Sequence, residues 1–362
     1  MVLLNKEKIL DYLRLGRAHT YPADWLLVII PFMYGGWNIF QVLILSVMMF
    51  GVHWSGFGEN VVLDFTQGYD SIDPSKVHHP LSKGSISIHN ASNAVHWMKA
   101  LIGSFAVILV FLWSPSPVLA MAALMLWFVW GTAYNVGLSK ESPLGFLPIV
   151  LCFVFMAAWG WFMSHPLLLP IGLAYLIYAG SVILFQTGWS GHLKDIEQRE
   201  PSNILCRLGA HIKTSDLNHV SFEVGNDHIV KAEDKTFQMF YPGKALYLGL
   251  AMKSFGILAL GYLAVLAIGL PLDLGNLYSL SLIAWTMLII VGMFVSMMLL
   301  LPQREWIKSK ELKSMSIMEI FSIFAPVPLL VPWPEAIILM AFAIGYFYLG
   351  NKKLWGVAYP KV

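Results

Sequence analysis

The chain has 362 residues, 57% of them apolar and 12% charged, with a mean hydropathy of +0.67. Soluble domains carry about 25% charged residues, so an ordinary soluble enzyme, a nucleic-acid binder and a disordered chain are excluded. The net charge of +2 is small, and the placement of the charges carries the information. Cys152 and Cys206 cannot build a disulfide framework, and Cys152 lies in an apolar run that suits core packing.

Uncharged stretches give the expected elements in chain order. A helix crossing a hydrocarbon core of ~30 Å needs about 20 residues. No Asp, Glu, Lys or Arg occurs from Trp25 to Gly58, Leu101 to Ser139, Ser142 to Leu193, Ser254 to Leu272, or Leu274 to Gln303. The first three runs hold two helices each, divided at Gly35-Gly36, Ser114-Pro115-Ser116-Pro117 and His165-Pro166. The next two hold one each. A last run from Ile320 to Asn351 contains only Glu335, and Pro326, Pro328, Pro332 and Pro334 interrupt it. The expected architecture is an all-α polytopic membrane bundle of nine transmembrane helices, or ten crossings if the last run splits. Residues 1–20 form an N-terminal segment, with 7–17 suited to an amphipathic surface helix. Residues 21–350 form the membrane domain and 351–362 a tail.

Orientation follows from the cations. Lys76, Lys83, Lys140, the seven cations from Lys194 to Lys244, and those from Arg304 to Lys313 all fall on one side of the alternating spans. The opposite connections near Gly35, Ser114, His165 and Asp273 contain none. The N-terminus is therefore expected in the cytoplasm, without a cleaved signal peptide. A multi-pass protein of a prokaryotic plasma membrane or an organelle inner membrane fits this pattern.

Two acidic clusters stand out among so few charges. The first contains Asn60, Asp64, Asp70 and Asp73, followed by His79-Pro80-Leu81-Ser82-Lys83-Gly84; the second is Lys194-Asp195-Ile196-Glu197-Gln198-Arg199-Glu200. Asn60 and Asp64 are four apart and share a helix face. The first cluster ends span two and the second ends span six, so parity places both, with Lys140 after span four, at one membrane face. Clustered carboxylates there suggest oxygen ligands for Mg²⁺ bridging a diphosphate, with Lys and Arg taking the remaining phosphate charge. The substrate's other end would be long and apolar. Plainer roles compete: Asn60 as interhelical glue, Asp70 and Asp73 as turn residues, Asp195–Arg199 as a surface ion pair, Lys140 as an orienting cation. Asp64 is the hardest to assign to packing, because a carboxylate at membrane depth is costly. The alternating segments 219–224 and 228–233 around Gly225-Asn226-Asp227 read either as a small β-hairpin capping the site or as a mobile insert.

These residues together resemble the UbiA superfamily of intramembrane prenyltransferases. Asn60 and Asp64 match its first Asp-rich motif, and the segment from His79 to Ser87 is similar to the one that follows that motif. Lys194-Asp195-Ile196-Glu197 with Arg207-Leu208-Gly209 resembles the second. Arg17-Ala18-His19-Thr20 is similar to the segment before helix one, and Tyr134-Asn135-Val136-Gly137-Leu138-Ser139-Lys140 to that after helix four. The likeness runs from about residue 10 to 350. Two departures stand out: Gly68 occupies the place of the first motif's last acid, and Arg199 that of the second motif's second Asp.

The resemblance implies a nine-helix bundle whose acidic loops, 60–90 and 190–243, form a cytoplasmic cap. It implies Mg²⁺ held by Asn60, Asp64, Asp70 or Asp73, and by Asp195 with Glu197 or Glu200; Asp64 and Asp195 would be the catalytic pair. Arg17, Lys83, Tyr134, Lys140, Lys194 and Arg199 would bind the diphosphate of an isoprenyl diphosphate. The expected reaction transfers the isoprenyl group to a lipophilic acceptor, an aromatic ring or a hydroxyl, within the bilayer and without nucleic acid. Two alternatives stay open, an intramembrane terpene cyclase and a non-catalytic isoprenoid-binding membrane protein. A transporter fits less well, since the charges gather at one face.

Overall fold

The computed structural model describes residues 6–68, 79–138, 141–192, 202–224, 228–240, 243–269, 276–298, 306–308 and 322–356. Helix α1 spans Lys6–Leu15, and a 3₁₀ turn at Ala18–Thr20 leads into α2, Tyr21–Tyr34. Helices α3 (Ile39–Thr66), α4 (Ile88–Trp113) and α5 (Pro117–Ala133) follow. Then come α6 (Leu147–Phe162), α7 (Pro170–Phe185) and the short α8 (Ile204–Arg207). Helices α9 (Gly243–Ile268), α10 (Leu277–Met298), the short α11 (Val327–Leu330) and α12 (Trp333–Trp355) complete the chain.

The sequence breakers act where residue chemistry requires. Gly36, at φ 93, turns the chain between α2 and α3, and the Asn38 side chain accepts the Phe40 N–H at 2.8 Å to start α3. Ser87 caps α4 through the Asn90 N–H. Prolines stand in the first turns of α2, α5, α6, α7 and α12, where no intrahelical N–H is lost. The last apolar run differs from the expected kinked span. Pro326, Pro328 and Pro332 all precede α12, and residues 322–331 form a buried turn-rich segment ahead of one uninterrupted helix.

Among the described residues, seven helices are long and apolar enough to cross a membrane: α3, α4, α5, α7, α9, α10 and α12. Helices α5 and α7 reach that length with the turns that continue them to Gly137 and Gly191, whereas α2 and α6 are as apolar but shorter, at 14 and 16 residues. Outward faces are apolar: Phe40, Trp97, Val118 and Leu277 are each at least 70% exposed. Such faces suit lipid rather than water, and the chain is an integral multi-pass membrane protein. The short helices run inside. Helix α2 packs on α3, α6 and α12, and α6 on α5 and α7. At the α2–α6 crossing, a Cβ on Gly160 would lie 2.5 Å from the Val28 carbonyl oxygen and 2.9 Å from its Cα. Lipid supplies no hydrophobic drive between helices, so such backbone approach is where packing energy accrues.

Strands β1 (His211–Val224) and β2 (His228–Phe240) pair antiparallel, with Val220 opposite Ala232, and β3 (Trp306–Lys308) joins the other edge of β2. Residues 225–227 lie outside the described set.

Gly160→Ala is expected to lower stability by roughly 1–3 kcal/mol, because backbone rather than a movable side chain must yield. Thermal unfolding in detergent should show the loss, whereas Gly261→Ala, which opens onto empty space, should leave the midpoint within a degree or two.

A candidate site at the motif-bearing end of the bundle

One face of α3 organises this end. His53, Phe57, Asn60 and Asp64 fall at i, i+4, i+7 and i+11 along one uninterrupted helix and form a single stripe. His53 is fully buried, and Phe57, Asn60 and Asp64 are partly so. The stripe therefore passes from the packed interior to a half-open end. Asn60 and Asp64 offer hard oxygen donors one turn apart, the donor chemistry that Mg²⁺ prefers. Asp70, Asp73, Asp195, Glu197 and Glu200, with Lys140, Lys194 and Arg199, lie outside the described residues. Among the described residues, no three His, Cys, Asp or Glu side chains converge as a metal-binding group.

Arg17 sits above this stripe. Its guanidinium carbon is 5.5 Å from the centroid of the Phe57 ring, a cation–π distance. Its backbone is left-handed at φ 45, ψ 43, and it is the one non-glycine residue with positive φ among those described. For a residue with a Cβ that conformation costs about 1–2 kcal/mol. Three donors hold it in place. The Arg17 carbonyl accepts from the Thr20 N–H at 2.9 Å, the Thr20 hydroxyl at 3.0 Å and His53 Nε2 at 3.1 Å. His53 Nδ1 in turn lies 2.7 Å from the carboxylate of Asp24, which is buried in α2.

His19, next to Arg17, is buried against the end of α12. Its Nδ1 accepts the Trp355 indole N–H at 3.3 Å. Burial above all, and then the charges of Arg17 and His53, hold its pKa down at about 3. It is a neutral packing element of this end.

The connection after α5 meets α3 directly. Tyr134–Leu138 is a π-helical turn with Gly137 at φ 119, a form frequent at functional positions. Within it Asn135 donates to the Glu59 carboxylate at 2.6 Å and to the Gly56 carbonyl at 3.3 Å. Lys99 on α4 pairs with the same Glu59 oxygen at 2.5 Å. Glu59 thus ties together α3, α4 and the turn that bears Tyr134, immediately before Asn60 in sequence. The turn ends two residues before Lys140 in sequence.

Helix α7 ends the same way, in a π-helical turn at Gln186–Gly191 just before the second acidic cluster. His192 closes it. Its ring stands edge-on to Phe146, its carbonyl accepts from Asn203 Nδ2 at 2.7 Å, and its Nδ1 accepts the Ile204 N–H at 3.2 Å. Burial pushes the His192 pKa down to about 4. Phe146, which follows the α5 turn, also packs against Gly188. The first π turn therefore meets the end of α3 through Asn135, and the second meets the segment leading into α6 through Phe146.

Lys83 lies on an exposed turn. Leu81 and Ile86 anchor that turn in a cluster with Leu15, Trp54 and Val61. Gly84 has φ 70 at its apex, and Ser85 donates to the Pro80 carbonyl.

Sequence reasoning gave no role to Asp24, His53, Glu59, Lys99 or Asn135. Asp24 and His53 are 29 apart and Glu59 and Lys99 are 40 apart, beyond the reach of any local spacing rule. The available signal was the cost of placing polar side chains in or beside apolar runs.

No protein-family model matches the chain, and no curated protein matches it in sequence. Solved structures do match its fold. A UbiA homologue from Aeropyrum pernix K1, in the apo state, superposes at a TM-score of 0.59 with 14% identity, over 88% of this chain and 97% of its own. A UbiA homologue from Archaeoglobus fulgidus, bound to GPP and Mg²⁺, gives 0.56 and 14%, over 88% and 99%. A structure concerning digeranylgeranylglyceryl phosphate synthase gives 0.55 and 16%, over 94% and 99%.

Two outcomes follow from the local chemistry. Lys99→Met should cost about 1–2 kcal/mol by stranding Glu59, and Glu59→Gln with Lys99→Met should cost less than the sum of the single losses. Unfolding midpoints of the three variants test this. His192 has a lower pKa folded than its ordinary value of 6.5, so the unfolded chain binds more protons between pH 6.5 and 4. Stability is thus complete above pH 6.5 and falls, by at least about 1 kcal/mol, as pH drops toward 4. His192→Asn should remove that part of the slope.

Proposed function

We propose that this chain, which has the fold of the UbiA homologues, is a Mg²⁺-dependent intramembrane prenyltransferase. It transfers an isoprenyl group from an isoprenyl diphosphate to a lipophilic aromatic or hydroxyl acceptor, with release of diphosphate. The observation that carries this reading is the α3 stripe: oxygen donors Asn60 and Asp64 open toward one end of the bundle, with the Arg17 guanidinium over Phe57 on the same face. The reading takes the bundle as nine crossings, counting α2 and α6, with the N-terminus in the cytoplasm and the loop regions forming a cap.

In this reading Asn60 and Asp64, Asp70 or Asp73, and Asp195 with Glu197 or Glu200 hold the metal. When bound, Mg²⁺ supplies charge neutralisation and Lewis acidity at the departing diphosphate. Arg17, Lys83, Tyr134, Lys140, Lys194 and Arg199 hold the phosphate oxygens by charge-assisted or neutral hydrogen bonds. The breaking bond joins the allylic carbon to the bridging oxygen, and the electron pair leaves with diphosphate. The acceptor's ring carbon or hydroxyl oxygen then bonds to that carbon and gives up a proton. Aromatic faces and water exclusion in the apolar bundle favour the allylic cation over its hydrolysis. Gly68 and Arg199 leave the acids at 70, 73, 197 and 200 to complete the ligand sets.

The test is diphosphate release by the purified chain from geranylgeranyl and farnesyl diphosphates, with and without Mg²⁺ and with and without an acceptor panel. Release that requires both metal and acceptor is expected. Asp64→Asn and Asp195→Asn should each lower it by about 100-fold or more. Acceptor-independent release with a cyclic product would assign the chain to terpene cyclisation instead. Diphosphate affinity without turnover would make it an isoprenoid-binding protein.

A further inference from the structure

We infer that the buried Asp24–His53 pair is a positioning device for Arg17. It fixes the guanidinium over the α3 stripe by pinning the Arg17 carbonyl, so that diphosphate is met by an immobilised cation. The inference rests on the proposed function, since it assigns a cause to the placement of Arg17.

The proton inventory supports it. His53 Nδ1 faces the Asp24 carboxylate at 2.7 Å, and Nε2 faces the Arg17 carbonyl at 3.1 Å. Both of those partners are acceptors. The remaining contact of Nε2 is the Thr20 hydroxyl at 3.2 Å, whose own proton goes to the Arg17 carbonyl. The carbonyl can only accept, so Nε2 carries the proton that points to it, and one further proton lies between Nδ1 and the Asp24 carboxyl group.

The geometry gives that pair a purpose beyond packing. A left-handed arginine persists only where its surroundings over-determine it, and here three donors meet on one carbonyl. Phe57 completes the arrangement, touching the two groups it connects: its ring is 4.5 Å from the His53 ring and 5.5 Å from the guanidinium. Asp24 on α2, His53 on α3 and the Arg17 backbone therefore move as one unit. Loosening His53 frees the carbonyl, the backbone relaxes toward negative φ, and the side chain leaves the stripe.

The experiment is a double-mutant cycle on the full chain in nanodiscs, read by calorimetric binding of farnesyl S-thiolodiphosphate with Mg²⁺. Arg17→Ala is expected to weaken binding about 10–50-fold, the range of one or two charge-assisted hydrogen bonds to phosphate. His53→Gln should weaken it about tenfold, and the double variant should bind no worse than Arg17→Ala within about twofold. A residue acting on overall stability alone would instead add its loss to that of Arg17→Ala. Thr20→Val keeps the buried pair and removes one donor, and should weaken binding about threefold; it carries the same cycle where His53→Gln does not fold. Wild-type binding by His53→Gln and Thr20→Val, or multiplicative losses in the double variant, would overturn the positioning while leaving the diphosphate reading intact. Wild-type binding by Arg17→Ala would remove Arg17 from the diphosphate site and overturn the positioning, whereas absence of Mg²⁺-dependent binding by the wild-type chain would overturn the proposed function itself.

Discussion

A carboxylate cannot sit in an apolar helix bundle without a partner, and Asp24 shows what that constraint builds. Helix α2 is apolar along almost its whole length, so its single acid must be matched from outside. His53 supplies the match from α3, and the pair then fixes how those two helices sit relative to each other. Because the second nitrogen of His53 reaches the Arg17 carbonyl, the same pairing sets the entry of the chain into the bundle. The rest of the motif-bearing end is built outward from that point along α3.

Glu59 applies the same logic one face away. Held by Lys99 and Asn135, it fastens the end of α3 to α4 and to the π-helical turn after α5. The two pairs grip α3 on either side of Phe57, leaving Asn60 and Asp64 on a helix that cannot rotate freely. Rigid backbone beneath two oxygen donors is what a metal–diphosphate site requires, since ligand geometry must not be reorganised during bond cleavage. The matched π turns after α5 and α7 add to this. Each continues a helix to within a few residues, in sequence, of an acidic or basic motif residue.

Much of the helical layout was legible from charge alone. The breaks at Gly35-Gly36, Ser114–Pro117 and His165-Pro166 coincide with helix ends, because glycine, serine and proline act locally. The prolines near residue 330 misled for the opposite reason. Their count suggested a kinked span, but Pro326 and Pro328 stand in a buried segment ahead of α12 and Pro332 caps it, a placement that only tertiary packing decides. Asn60 and Asp64 were legible as a helical pair because i,i+4 spacing is a property of one element. Asp24–His53 and Glu59–Lys99 were not, since each joins two helices whose relative rotation no single-sequence period reveals. The strained backbone of Arg17 was equally hidden, as nothing in an arginine announces a left-handed conformation.

The N-terminal segment is completed by residues at the other end of the chain. Arg14 donates through Nε to the Leu354 carbonyl across 340 positions of sequence, and its guanidinium lies over the Trp355 ring. His19 receives the Trp355 N–H and packs on Gly350. During synthesis the first residues made therefore wait for the last helix before their final contacts exist. At about 5–20 residues per second, that interval is on the order of 20–70 s, during which Arg14 and His19 lack their partners on the last helix. A chain assembled this way completes its N-terminal end late, after the apolar body is already in the bilayer. An incomplete nascent chain would thus pass through the membrane stage of its life without a finished polar site.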